Sequence, residues 1–156
     1  VYKRQAMSNP LKATKFGLPF RHVPTYLAGY YKYKAGDQFT EGGKPVNGKR
    51  DICDIYAIMY ETSESVPTLD GTNAFTSPNL ISTARINNAK ETNEWTYFKL
   101  PFTTLPGKFI DKEKLMDGKY NIAIVFTSSL EGDHFNGAIG STLLIDEAEL
   151  IYHSED

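Results

Sequence analysis

Apolar and polar side chains alternate along most of this chain, and that rhythm limits the folds open to it. Successive side chains of an extended strand point to opposite faces of a sheet, so a two-residue period marks a strand with a buried face. Residues 51–61 (DICDIYAIMYE) are the longest example. Cys53, Ile55, Ala57 and Met59 share the face that belongs in the core. Asp54, Tyr56 and Tyr60 point the other way, with Ile52 and Ile58. Residues 26–34, 80–87, 95–102, 119–128 and 141–152 also read as strands, with shorter ones between 15 and 23. In 95–102, Phe98, Leu100 and Phe102 turn inward, and Trp95, Tyr97 and Lys99 outward. In 119–128 the expected core positions are Tyr120, Ile122, Ile124 and Phe126.

Gly, Pro, Asn and Asp gather in the segments between, 37–49, 62–79, 88–94 and 129–140, as turns require. Only 111–117 reads as helical, with Asp111 as cap and Gly118 as stop. Six or more strands, with no helices to cover a parallel sheet, predict an all-β fold. Its form is an antiparallel β-sandwich of jelly-roll type with at most one short helical turn. The length of 156 residues suits one domain. Residues 15–156 are assigned to it and residues 1–14 to a leader or linker remnant, the first five resembling translated adaptor. Because the chain opens on Val1 rather than Met, an upstream signal or domain is expected to be missing.

Composition narrows the function. Seventeen Lys and Arg against nineteen Asp and Glu give a net charge of −2, so no basic face is available to neutralise nucleic-acid phosphates. No apolar run approaches the ~20 residues of a membrane helix. The single cysteine, Cys53, excludes an internal disulfide and a multi-cysteine zinc site, and reads as an inert buried thiol. Ten Tyr and nine Phe suit both strands and binding surfaces.

Asp54 and Tyr56, two apart on the face away from the predicted core, are the groups that recognise sugars. A ring stacks on the apolar C–H face of a pyranose, and a carboxylate accepts from neighbouring hydroxyls. Arg85, outward on its own strand, can donate to the same ligand; alternatively Tyr56 and Tyr60 merely cover one side of a sheet and Asp54 pairs with Arg85 or a Lys. Trp95 beside Tyr97 is either a stacking platform or a lid on the core. Tyr33, in the aromatic run 26–34, is a further candidate ligand residue. Asp133 and His134, in a loop dense in polar groups and glycines, either position a ligand or are solvated. Asp146 in the last strand either holds a structural Ca²⁺ together with backbone carbonyls or bonds backbone at a strand bend. Paired carboxylates for glycoside hydrolysis are available in Asp54, Glu61, Glu131 and Asp133, but no spacing makes two of them converge. Phosphate-cradling glycine loops, nucleotide-binding fingerprints and serine-hydrolase patterns are absent.

Three stretches carry a family resemblance: LAGYYKYK at 27–34, DICDIYA at 51–57 and FNGAIGSTLLIDE at 135–147. Together they resemble the putative carbohydrate metabolism domain of exported, often lipid-anchored, gut-bacterial proteins. The resemblance implies a sandwich similar to carbohydrate-binding modules, an upstream Ig-like domain, and a place in the periplasm or at the cell surface. The leading expectation is a glycan-recognition module that binds an oligosaccharide or polysaccharide. A glycoside hydrolase using paired carboxylates and a structural module without a ligand are the alternatives.

Overall fold

The computed structural model describes residues 15–152. In chain order the strands are β1 (Lys15–Phe16), β2 (Leu18–Phe20), β3 (Pro24–Lys34), β4 (Phe39–Glu41), β5 (Lys44–Pro45), β6 (Asp54–Glu61) and β7 (Leu69–Asp70). They continue with β8 (Leu80–Arg85), β9 (Thr92–Pro101), β10 (Thr103–Thr104), β11 (Tyr120–Thr127), β12 (Gly137–Ala138) and β13 (Thr142–Tyr152). One five-residue helix, α1 (Lys112–Met116), precedes β11. Asp111 caps it, its carboxylate accepting from Glu113 N at 2.9 Å and Lys114 N at 3.1 Å, and Gly118 at φ +69° follows its end. A single 3-10 turn, Gly132–His134, lies between β11 and β12.

The two main sheets are antiparallel, one five-stranded in the order β10-β8-β6-β11-β2 and one three-stranded in the order β13-β3-β9. The first and last long strands, β3 and β13, are neighbours, and the connections from β3 to β6, β8 to β9 and β11 to β13 pass between sheets. This is the expected all-β sandwich of jelly-roll type. Its central core lies between the sheets: Leu27, Tyr31 and Tyr33 of β3 meet Cys53, Ile55 and Ala57, Ala84 of β8, and Phe98 and Leu100 of β9. Fully burying one such side chain stabilises the fold by about 1.5–3 kcal/mol.

Three details differ from the sequence reading. The face of β6 assigned to the outside is buried: Tyr56, Ile58 and Tyr60 form a second core with Leu69, Ala74, Leu80 and Ala123. The segment 62–79 folds over that face and closes it, with the Tyr60 hydroxyl accepting from Leu69 N at 3.2 Å. Conversely, Ile124 and Phe126 are 40% and 37% exposed. β2 pairs with β11 only from Tyr120 to Ile122, so both side chains stand on an edge the sheet does not extend. Finally, the loop 37–49 holds the β4–β5 hairpin, turned by Gly42 and Gly43 at φ +55° and +84°.

Candidate functional site

The start of β6, the end of β8 and the end of β11 meet at one end of the five-stranded sheet, where Asp54 lies opposite Thr127 and Arg85 opposite Tyr56. Antiparallel pairing therefore brings Asp54 and Arg85 within reach although they are far apart in sequence. Asp54 is buried and accepts two bonds from Arg85, Nε to Oδ1 at 3.2 Å and Nη2 to Oδ2 at 2.7 Å. The guanidinium lies over two rings, 4.3 Å from the centroid of Phe75 and 5.6 Å from that of Tyr56. Those rings meet edge to face at 4.8 Å. Burial, and then the Asp54 charge, pushes the Tyr56 phenol up to about 12.

Around this stack opens a cleft of about 320 Å³. Asp54, Tyr56, Arg85 and Val125 form its floor, Gly71, Thr72, Ala74, Phe75 and Thr76 of the covering segment one wall, and Thr127, Ser129, Leu130 and Asp133 the other. Phe75 keeps 36% of its surface open. An apolar ring, guanidinium N–H groups, threonine and serine hydroxyls and an exposed carboxylate thus share one concavity. That mixture suits a ligand with an apolar face and a rim of hydroxyls.

Asp51 holds the second wall in place. It is buried, and its Oδ2 accepts from Ser129 Oγ at 2.6 Å, Ser141 Oγ at 2.6 Å and Ala138 N at 2.9 Å, while Oδ1 accepts from Ile52 N at 2.9 Å. Gly137 packs against this knot: a Cβ there would stand 2.9 Å from Ser129 Oγ and 3.2 Å from Asp51 Oδ2. One carboxylate thereby ties β12 and the loop after β11 to the start of β6.

The structure brings together Asp54, Tyr56, Arg85 and Asp133 among the candidate residues and disperses the others. His134 follows Asp133 in the 3-10 turn, their side chains 3.9 Å apart, but does not line the cleft. Tyr33 is a core side chain, 2% exposed, whose hydroxyl donates to Ser128 O at 2.7 Å. Burial pushes its phenol up to about 12. It offers a ligand no ring face. Trp95 lies on the outward face of the other sheet. Asp146 Oδ1 accepts from Glu147 N at 2.8 Å, the backbone bond of the alternative reading. Among the described residues no group of three or more His, Cys, Asp or Glu gathers as metal ligands would. Glu61 pairs with Lys114 at 2.7 Å and Glu131 lies 3.6 Å from Lys49, both outside the cleft. Phe75 and Thr72 went unnoticed in the sequence, since nothing local marks the turn-rich segment after β6 as its lid, and Asp51 because its partners come from distant loops.

Fold and cleft together define an antiparallel β-sandwich domain with an aromatic and polar concavity at one end of its larger sheet. The chain belongs to the putative carbohydrate metabolism domain family, whose model matches residues 1–151. It is similar to a crystal structure described as a putative glycoside hydrolase from Bacteroides thetaiotaomicron, with 88% identity and a TM-score of 0.95 over 97% of this chain and 45% of that one. A second, described as a putative glycoside hydrolase from Bacteroides vulgatus, shares 47% identity and a TM-score of 0.90 over 95% of this chain and 59% of that one. The chain thus spans about half the length of these relatives. No curated protein matches it. No helix among the described residues is long and apolar enough to cross a membrane.

Proposed function

We propose that the domain is a glycan-recognition module and that the cleft around Arg85 and Phe75 is its binding site. One observation carries this reading: a guanidinium, fixed by bidentate bonds to buried Asp54, sits on a partly open aromatic ring inside a concavity lined with hydroxyls. Fixing the donor beforehand reduces the ordering that binding must impose. The N–H groups that Asp54 does not take remain for sugar hydroxyls, Phe75 offers the apolar contact, and Asp133 accepts from the rim.

The descriptions of the relatives raise glycoside hydrolysis as a second reading. That chemistry needs two carboxyl groups flanking one bond, roughly 5–9.5 Å apart. Two carboxylates line the cleft, Asp54 and Asp133. Both oxygens of Asp54 are engaged by Arg85, which favours a structural part for it over attack on a sugar.

The test is calorimetric titration of the chain with neutral oligosaccharides, alongside a reducing-sugar release assay. Saturable binding without release is the expected result. Phe75→Ala should weaken it at least tenfold in a domain that still unfolds cooperatively, with some loss of melting temperature because the ring also packs on Tyr56 and Arg85. Binding that ignores this substitution overturns the site, and sustained release of reducing ends overturns the binding-only reading.

A further inference from the structure

The outward face of the three-stranded sheet carries a second set of aromatic side chains that the core does not use. Tyr30, Trp95 and Tyr97 are 36%, 44% and 51% exposed. Tyr30 and Tyr97 are direct cross-strand partners with ring centroids 5.3 Å apart. Trp95 stands two residues along β9, on the same face, with Lys32 Nζ 4.8 Å from its ring. Beside them β13 breaks register between Asp146 and Glu149. Glu147 there adopts φ +50°, a left-handed conformation that strains a residue other than glycine. The bulge lies against Gly29, where a Cβ would stand 3.2 Å from Ala148 Cα and 2.8 Å from Phe98 Cζ. Glu147, Ala148 and Glu149 thus line an open hollow with Tyr30 and Tyr97. Bulges re-aim side chains in this way beside sites.

We propose that this face is a second glycan-binding surface, on which a flat, neutral, β-linked polysaccharide chain stacks across Tyr97 and Trp95 while Glu147 and Glu149 accept its hydroxyls. The occupant follows from how charge and rings are mixed. Lys32, Lys99, Glu147 and Glu149 stand among the aromatics, with Lys99 Nζ 4.3 Å from the Tyr26 ring. The centre of a protein interface is depleted in Lys and Glu. A pyranose, by contrast, presents an apolar C–H face inside a ring of hydroxyls and needs aromatic and charged partners together. Two lysines and two glutamates balance on this face, so it has no net charge with which to select an anionic sugar. The face is open where the cleft is concave, so it suits the length of a chain rather than one ring. It shares no lining residue with the cleft and lies on the opposite side of the sandwich, so either site can fail alone.

Trp95 is the only tryptophan in the chain and therefore a built-in reporter of this face. The experiment titrates the whole chain with cellohexaose, xylohexaose and mannohexaose, following tryptophan emission, with calorimetry in parallel. At least one sugar should shift or quench the emission saturably. Tyr97→Ala should weaken that response at least tenfold, and Phe75→Ala should leave it unchanged. If calorimetry registers binding while the emission stays still, the sugar is in the cleft alone and the second surface is wrong. Loss of the emission response on Phe75→Ala overturns it equally, as does silence to all three sugars. Emission that follows protein concentration instead of sugar would make the face an interface between copies. An emission response with no cleft-dependent heat keeps this surface and removes the cleft.

Discussion

Asp54 and Arg85 form one ion pair, but its halves are not equivalent. Asp54 is buried, whereas Arg85 keeps 42% of its side chain exposed. Arg85→Ala leaves a buried carboxylate without its partner, and should lower stability by about 1–3 kcal/mol. Asp54→Ala leaves a guanidinium that water can reach, and should cost less; urea denaturation of the two variants measures the order. Two buried tyrosines give the domain an alkaline limit. Tyr33 and Tyr56 are pushed up to about 12 from the usual 10.0, both chiefly by burial. The fold thus favours the neutral phenol. Its contribution is complete below pH 10, where neither state ionises, and is lost as pH rises from 10 through about 12. Denaturation midpoints should fall across that window, and spectrophotometric titration of the parent against Tyr33→Phe and Tyr56→Phe should show each of these phenols ionising above the usual range. Ionisation of either phenol at the usual value in a still-folded protein would contradict its burial. Cys53, pushed up to about 11 by burial, should react with thiol reagents only as fast as the domain unfolds.

At the scale of elements, the cleft depends on the knot at Asp51 more than on any residue that lines it. Asp51→Ala removes the acceptor of Ser129, Ser141 and Ala138 N together. We expect a loss of about 2–4 kcal/mol, several unmet donors at roughly 1–3 kcal/mol each being partly re-solvated. Hydrogen exchange at the Ala138 amide should accelerate first. Gly29→Ala tests the β13 bulge. Its Cβ would press on Phe98 and Ala148 and should cost about 1–3 kcal/mol by overpacking. Alternation revealed the long strands, the inward set on β9 and the Asp111 cap because each is a local pattern. It did not reveal that 62–79 closes over Tyr56 and Tyr60, because period two shows that a strand has two faces but not whether a distant segment covers the second. Ile124 and Phe126 were misjudged for the converse reason: their spacing matches that of core residues, but their exposure depends on where the neighbouring strand stops. Asp54 and Arg85 were legible as a pair. Phe75, which completes their stack, was not, since it comes from irregular chain.

For the whole molecule, the two proposed sites face away from each other, so avidity arises where separate chains of one insoluble polymer meet both faces. A rigid body that engages a polymer at two points holds it more tightly than either point alone, by up to 10²–10⁴-fold when geometry allows both. Retention on an insoluble β-linked polysaccharide should therefore drop far more in Phe75→Ala with Tyr97→Ala than in either alone. Added salt should change it little, since neutral sugars give screening nothing to act on. The pairing of β3 with β13 has a further bearing on how the domain is presented. Pro24 lies opposite Tyr152, and Phe20 of β2 sits at the same end, opposite Tyr120 and 6.2 Å from the Tyr152 ring. Asp54, Arg85 and Thr127 occupy the other end. The last described residue, Tyr152, thus stands at the pole opposite the cleft and leaves its mouth unobstructed, whereas the first, Lys15, pairs with Asp70 beside the cleft wall that begins at Gly71.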